Sequence, residues 1–331
     1  MVTLLEAQAF GHAAGSSHGK SRITRSSYHD ERYVRLAAQA HAHGWPLLER
    51  ELGTSLLHRT PGVFFGPDRG LFHDYVHATL SSGASVERIS VAAARARFPL
   101  LAFADTDTVL LDHTAGLLAA EATLRGLRHW CRERGVDLRE RTPVLSIHSE
   151  DASIRVRTIH GDLHAPRLVL ACGAWLPQLL PTLPLALSVI EQQVGYFDVA
   201  AAAADKQVGT FPVWARIGAD ASDFRYGLPE FERPGLKCAQ HVTTGPSIHP
   251  SVRRGAIDHA ALLKLARSTF AAPVRGIEGD EACLYTVAPN EDLHVLHAPG
   301  DVRIAVVAAC SGHGFKFGPE IGRMAADLVS G

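Results

Sequence analysis

Residues 304–331 read IAVVAACSGHGFKFGPEIGRMAADLVSG, and this stretch sets the fold class. The run IAVVAAC at 304–310 is short and continuously apolar, as a strand buried on both faces of a parallel sheet requires. Ser311, Gly312, His313 and Gly314 break it, and residues 319–328 then carry a helical pattern with Ile321, Met324, Ala325 and Leu328 on one side. Strand, glycine turn and helix in that order leave unpaired backbone N–H groups beside a strand end. Such a place suits an electron-rich ring, a phosphate or a carboxylate. His313 and Lys316 put two cation-capable side chains in the same turn, which favours an anion site over an ordinary connection.

Outward from this stretch the same grammar recurs. Residues 167–172, RLVLAC, read as a second buried strand closed by Gly173, and residues 2–5, VTLL, as a third that ends in Glu6. An acid at a strand end is where a dinucleotide fold holds a ribose diol. A helix is expected over 115–134, with Leu118, Ala122, Leu124, Leu127 and Trp130 apolar; Gly135 stops it and Val136 to Leu138 resume as a strand. Another spans 30–52 with Tyr33, Leu36, Ala37, Ala40 and Leu47 apolar, interrupted at Gly44 and Pro46. Helices are also expected over 73–80 and 86–97, and strands over 60–65 and 108–111. Residues 144–147 and 154–159 alternate as half-exposed antiparallel strands. After Pro181 the character changes: 184–197, 211–214, 223–228 and 236–242 read as antiparallel strands, followed by a helix over 254–270. The chain thus leaves a dinucleotide-type sheet, builds an antiparallel one, and returns to the first at its end.

Residues 16–25 hold His18, Lys20, Arg22 and Arg25. Arg22 and Arg25 would share one face of a helical turn and make an anion clamp; a solvated basic turn is the plainer reading. A net charge of -1 gives no electrostatic footprint for nucleic acid. No apolar run reaches about twenty residues, so no spanning helix is expected. The five cysteines form no close pair, which points to a reducing compartment. Nineteen histidines include no HExxH pattern, so no metal is expected and most of them are expected at the surface.

Five motifs carry a resemblance: GSSHGKSRITR at 15–25, YGLP at 226–229, GLKCAQH at 235–241, ACLYT at 282–286 and SGHGFKF at 311–317. In this order they resemble the signature of the monomeric sarcosine oxidase and N-methyltryptophan oxidase family, within the D-amino-acid-oxidase-like flavoproteins. The resemblance runs from Val2 to Gly331. It implies an α/β protein, an FAD-binding Rossmann-like fold with a discontinuous antiparallel-sheet substrate domain. Residues 1–60, 107–180 and 285–331 would form the FAD-binding domain, and 61–106 and 181–284 the substrate domain. The family's first strand, GxGxxG turn and first helix do not precede Val2 in this sequence. The pyrophosphate is expected to miss that cradle and the chain to purify nearly colourless.

The same resemblance implies the site. Cys283 stands where the family joins flavin covalently through sulfur, and Tyr285 borders the active site. Arg25 and Lys316 occupy the positions that hold a substrate carboxylate, and Arg22 lies beside the flavin ring. Lys237 matches the lysine that helps reduced flavin react with oxygen. His241 and Tyr226 resemble substrate-side groups, His18 and His313 groups near the flavin. Gly312 keeps the backbone close to the ring, Glu6 resembles the ribose acid, Val144 the adenosine-side residue, and Gly173 the turn after the next buried strand. The implied activity is oxidation of an N-methyl amino acid, sarcosine or N-methyltryptophan, by a cytoplasmic monomer. Dioxygen is the co-substrate, hydrogen peroxide a product, and neither nucleic acid nor membrane takes part. The alternatives are an oxidase of a cyclic or glycated secondary amine (pipecolate or a fructosyl amino acid), an NAD-dependent dehydrogenase, and a truncated, non-catalytic remnant without FAD. The dehydrogenase leaves the Cys283 motif without a reason.

Overall fold

The computed structural model describes residues 1–252, 255–308 and 310–330. Arg254, the expected helix start, Ala309 in the expected last strand, and Gly331 lie outside them. The terminal strand is Asp301–Ala308, with Ile304, Ala305 and Val306 buried. It pairs in parallel with Leu168–Leu170 and antiparallel with His294–Ala298. The helix Gly318–Ser330 then covers these strands. Its buried line is Ile321 and Ala325, whereas Met324 is exposed. The helix lies over a sheet of only three strands, and so narrow a surface covers one line of residues four apart.

Strand Thr3–Leu5 runs parallel to Asp137–Arg139. Beside them, Val144–Ser149, Ile154–Thr158 and Gly161–Ala165 form an antiparallel sheet. One core lies between these layers, built on Ile154, Leu170, Leu176 and Val306, with Leu5 and Val144 packed on it. The strand at Leu168–Leu170 is less enclosed than its sequence implies, because Val169 is exposed.

The larger sheet has eight strands. Its order is Val274–Val287, Ser188–Val199, Leu236–Gln240, Phe224–Leu228, Val213–Ile217, Gly62–Pro67, Asp107–Asp112 and Val86–Ile89. The two long strands place Gln192 opposite Cys283 and Ile190 opposite Tyr285, while Tyr196 faces Lys237 on the other neighbour. Val63, Phe65, Phe98, Phe197, Trp214 and Phe270 fill the core on one side.

Several expected helices are shorter or begin as strands. Residues 86–97 divide into strand Val86–Ile89 and helix Val91–Arg97, with the Ser90 side chain accepting from Ala93 N. Residues 115–134 begin as strand Gly116–Ala119, which pairs with Ser21–Thr24 and Leu57–Arg59, and only then become helix Ala120–Glu133. Leu118 is therefore a strand residue, and Leu124 is exposed. The expected interruption near Gly44 is a π-helical turn, Ala40–Gly44, between helices Glu31–Gln39 and Trp45–Leu52. Its wider turn shifts the register, so Trp45 is buried and Leu47 exposed. The helix expected over 254–270 is His259–Arg267. Residues 16–25 end in strand Ser21–Thr24, so Arg22 and Arg25 share no helical face.

One buried carboxylate pins the corner after that strand. Asp112 Oδ2 accepts from Ser26 N at 2.7 Å, Ser27 N at 3.1 Å and Ser27 Oγ at 3.3 Å. Its Oδ1 accepts from Thr114 N at 2.9 Å and Thr114 Oγ1 at 2.6 Å. Asp112→Ala strands several of these buried donors, and chemical denaturation is expected to lose at least about 3 kcal/mol. A loss under about 1 kcal/mol would show that water satisfies them equally well.

Candidate active site

Arg25 follows strand Ser21–Thr24, and the Asp112 corner turns it inward. Its guanidinium is buried among aromatic rings, 4.8 Å from the centre of Tyr28, 5.2 Å from Phe64, 5.3 Å from Tyr75 and 5.8 Å from Phe224. It donates to Tyr75 Oη at 3.3 Å. Lys316 arrives from the terminal turn, where Trp45 Nε1 donates to its carbonyl at 2.8 Å. Its Nζ donates to His313 O at 2.8 Å and lies 5.6 Å from the centre of the same Tyr28 ring. Burial, then Arg25 and Arg22, hold the Lys316 ammonium well below the usual lysine range.

A second buried lysine stands across the sheet junction. Lys237 Nζ donates to Ser21 O at 3.3 Å, and Arg22 Nη1 donates to the same carbonyl at 2.8 Å. Burial, with Arg22 adding to it, brings the Lys237 ammonium down to about 8. Arg22 Nη2 also donates to Ser16 O and His18 O, both at 2.6 Å, and its guanidinium lies 5.6 Å from the centre of Phe315. Among the described residues no carboxylate lies within ion-pair distance of Arg25, Lys237 or Lys316. A buried cation without an acid is costly and calls for an anion or an electron-rich group.

The SGHG turn meets this cluster from the other side. Gly312 has φ of 79°, and a Cβ there would strike the Tyr285 ring, so only glycine brings this backbone so close. His313 is buried, and its Nε2 lies 2.8 Å from Glu291 O. Burial first, then Lys316, holds its imidazole down to about 3, so the ring is neutral. Tyr285 and Tyr226 meet through their hydroxyls at 3.4 Å. Burial pushes Tyr226 up to about 12 and Tyr285 well above the usual phenol range, so both keep their protons. The His241 ring packs against Phe224 and Tyr285, with centroids 4.7 and 5.4 Å away. Cys283, two residues from Tyr285 and on the same strand face, is half-buried and forms no disulfide.

Arg22, Arg25, Tyr226, Lys237, His241, Cys283, Tyr285, Gly312, His313 and Lys316 thus come together, and His18 joins them through its carbonyl. Glu6, Val144 and Gly173 form a second group. Glu6 follows strand Thr3–Leu5, and its N donates to Arg139 O at 2.9 Å. Its carboxylate accepts from Gln8 N at 2.8 Å and pairs with His12 at 3.3 Å. Gly173, at φ 52°, begins the turn after strand Leu168–Leu170. Leu5 and Cys172 pack on one core, which brings these two strand ends together, and burial and Glu6 push the Cys172 thiol up to about 11. Val144 opens strand Val144–Ser149 on the core beneath them. Residues 6–16 connect the groups, since the Ser16 hydroxyl donates to the carbonyl of Leu284 beside Cys283.

Sequence reasoning missed Tyr28, Tyr75, Asp112 and Glu291. Only Tyr28 carried a local signal, three residues after Arg25. Most of the histidines are exposed, as expected, and His241 and His313 are buried at the site, whereas His41 is buried without having been singled out. His41 sits 2.5 Å from Thr24 Oγ1, and burial brings its imidazole down to about 4. Glu291 lies 2.9 Å from His241 Nε2; burial alone would raise its carboxyl, yet the bond to His241 leaves it below the usual range.

A glycine turn at a strand end, an acid at the end of another strand and, among the described residues, buried cations without acids beside them give an α/β protein with a place that suits an anionic or electron-rich ligand. The family described as FAD dependent oxidoreductase (DAO) matches residues 1–328, and the chain belongs to that family. N-methyl-L-tryptophan oxidase of Yersinia pestis (strain Pestoides F) is 28% identical over 332 residues, covering 98% of this chain and 87% of that protein. Among solved structures, the open form of NikD, an unusual amino acid oxidase essential for nikkomycin biosynthesis, superimposes with a TM-score of 0.85. It is 23% identical over 99% of this chain and 87% of that one. Glycine oxidase from Geobacillus kaustophilus superimposes with a TM-score of 0.78 at 18% identity, over 99% and 88% of the two chains. These two likenesses establish the fold.

The depressed Lys237 ammonium predicts a pH effect. Its pKa is lowered in the folded state, so the unfolded chain binds more protons between about pH 8 and 10.5 and stability rises with pH there. Relative to Lys237→Met, the wild type is expected to gain on the order of 3 kcal/mol across that window, measured by denaturant titration. Parallel stability curves for the two proteins would show that Lys237 keeps an ordinary pKa.

Proposed function

We propose that this chain oxidises the secondary amine of an N-methyl amino acid, of the sarcosine or N-methyltryptophan type, with dioxygen as the final electron acceptor. The observation that carries this reading is the pair Arg25 and Lys316, buried against one Tyr28 ring without an acid. The carboxylate of an amino acid supplies the missing charge, and two cations on one carboxylate fix the angle of the adjacent carbon. The name of the N-methyl-L-tryptophan oxidase relative supports the same substrate class.

The residues fit FAD. Gly312 lets the SGHG backbone lie directly on the Tyr285 ring, and Arg22, Lys316, His18 and His313 would stand about the flavin beside that turn. Cys283 is the thiol for covalent attachment, and Glu6, Gly173 and Val144 hold the adenosine end. Bound FAD supplies a two-electron acceptor that dioxygen reoxidises, with hydrogen peroxide as the product. Lys237 places a cation where negative charge develops as oxygen is reduced. His241 and Tyr226 line the substrate side, and Tyr285 borders it. The amine loses two electrons and two protons to become an imine. Water adds to the imine, which splits into the primary amino acid and formaldehyde. In this reading residues 1–60, 107–180 and 285–331 hold FAD, 61–106 and 181–284 form the substrate side, and the protein works as a cytoplasmic monomer.

A peroxide assay on FAD-loaded protein tests the reading, and N-methyl-L-tryptophan or sarcosine is expected to release peroxide faster than pipecolate or a fructosyl amino acid. Arg25→Met is expected to raise KM roughly a hundred-fold by leaving a buried carboxylate half-paired. An unchanged KM would remove Arg25 from the clamp. Once loaded with FAD, the wild-type protein is expected to stay yellow on denaturation, and Cys283→Ser to release its flavin. Full retention of flavin by that variant would assign the attachment elsewhere.

A further inference from the structure

Glu291 lies between two imidazoles of the site. It closes the turn Pro289–Glu291, which joins strands Val274–Val287 and His294–Ala298. Asn290 and Glu291 have φ of 58° and 60°, two left-handed residues in succession. Asparagine enters this region readily, whereas glutamate stays there only when its surroundings hold it. Glu291 N donates to Ala288 O at 3.0 Å. Its carboxylate Oε2 is 2.9 Å from His241 Nε2, and its carbonyl oxygen is 2.8 Å from His313 Nε2.

A carbonyl oxygen and an ionised carboxylate can only accept. The imidazole nitrogen facing each of them therefore carries the proton, and Nδ1 of a neutral ring is left as a bare acceptor. His313 Nδ1 is buried and has no hydrogen-bond partner. Packing keeps both rings in place: His241 lies between Phe224 and Tyr285, and His313 stands edge-on to Tyr33 at 5.3 Å. Neither ring can turn to another donor without displacing an aromatic neighbour.

We infer that Glu291 is a positioning residue of this site, its carboxylate and its carbonyl together holding His241 and His313 as Nε2–H tautomers. The bare Nδ1 of His313 is then an acceptor for an N–H group of a bound molecule. The identity of that molecule as a secondary amino acid rests on the function proposed above; the tautomers do not.

The test labels the histidines of the full chain with 15N and reads tautomers from long-range proton–nitrogen spectra, with His241→Asn and His313→Asn assigning the two signals. Both rings of the wild type are expected as Nε2–H. Glu291→Gly accommodates the left-handed backbone and keeps the carbonyl. His241 is then expected to lose its tautomer preference while His313 keeps it. With N-methyl-L-tryptophan, Glu291→Gly is expected to raise KM about ten-fold through the lost charge-assisted bond, with a smaller change in kcat. Glu291→Gln, whose amide oxygen still accepts from His241, is expected to recover most of that loss. His241 remaining Nε2–H in Glu291→Gly, or His313 protonated on Nδ1 in the wild type, would overturn the inference. The expected tautomers without oxidation of any N-methyl amino acid would support the positioning role and overturn the substrate reading instead.

Discussion

The arrangement rests on the burial of positive charge without a protein acid beside it. Arg25, Lys237 and Lys316 are each more than nine-tenths buried. Water is replaced there by aromatic faces around Arg25 and by backbone carbonyls at the two lysines. These partners offset only part of the lost hydration, since a cation over a ring gains far less than full solvation of an ion. The site is therefore an electrostatic demand for a ligand, and the depressed ammonium groups of both lysines express that demand.

Such a cluster exists only because rigid elements hold it. Arg22 and Arg25 are carried by a short strand whose exit is pinned by the Asp112 carboxylate, and Lys316 by a turn whose carbonyl is fixed by Trp45. Lys237 sits in the middle of the eight-stranded sheet, which gives its chain little freedom to withdraw toward water. The left-handed residues Ser311, Gly312, Asn290 and Glu291 crowd into the two turns that meet over Tyr285 and His241. Strain gathered at one place in this way is what a preformed site needs, because relaxed turns would let the cations separate.

Much of the site was legible from residue order. The apolar run before SGHG, the acid after Thr3–Leu5 and the motifs that carry Arg25, Lys237, Cys283 and Lys316 are local patterns, and the structure returns a strand, a turn and a helix in the expected order. The failures share a cause. Val86–Ile89 and Gly116–Ala119 contain residues that suit a helix as well as a strand, and hydrogen bonds to distant partners chose the strand. The strand Val274–Val287 was hidden by its glycines and acids, although pairing with Ser188–Val199 holds it extended.

The sequence by itself determined which residues bring charge, thiol and glycine to the chain, and in what order, because these are properties of single residues and short runs. Tertiary structure alone decided which of them meet. Asp112 is 86 positions from the Ser26 N–H it accepts, and Glu291 is 50 from His241. No short-range pattern encodes those distances. The same holds for burial: Trp45 rather than Leu47 faces the core because a π-turn rotates the helix, and His41, His241 and His313 lose water because neighbouring sheets and helices close over them. Desolvation is a property of everything packed around a group, and for that reason it could only be read once the chain was folded.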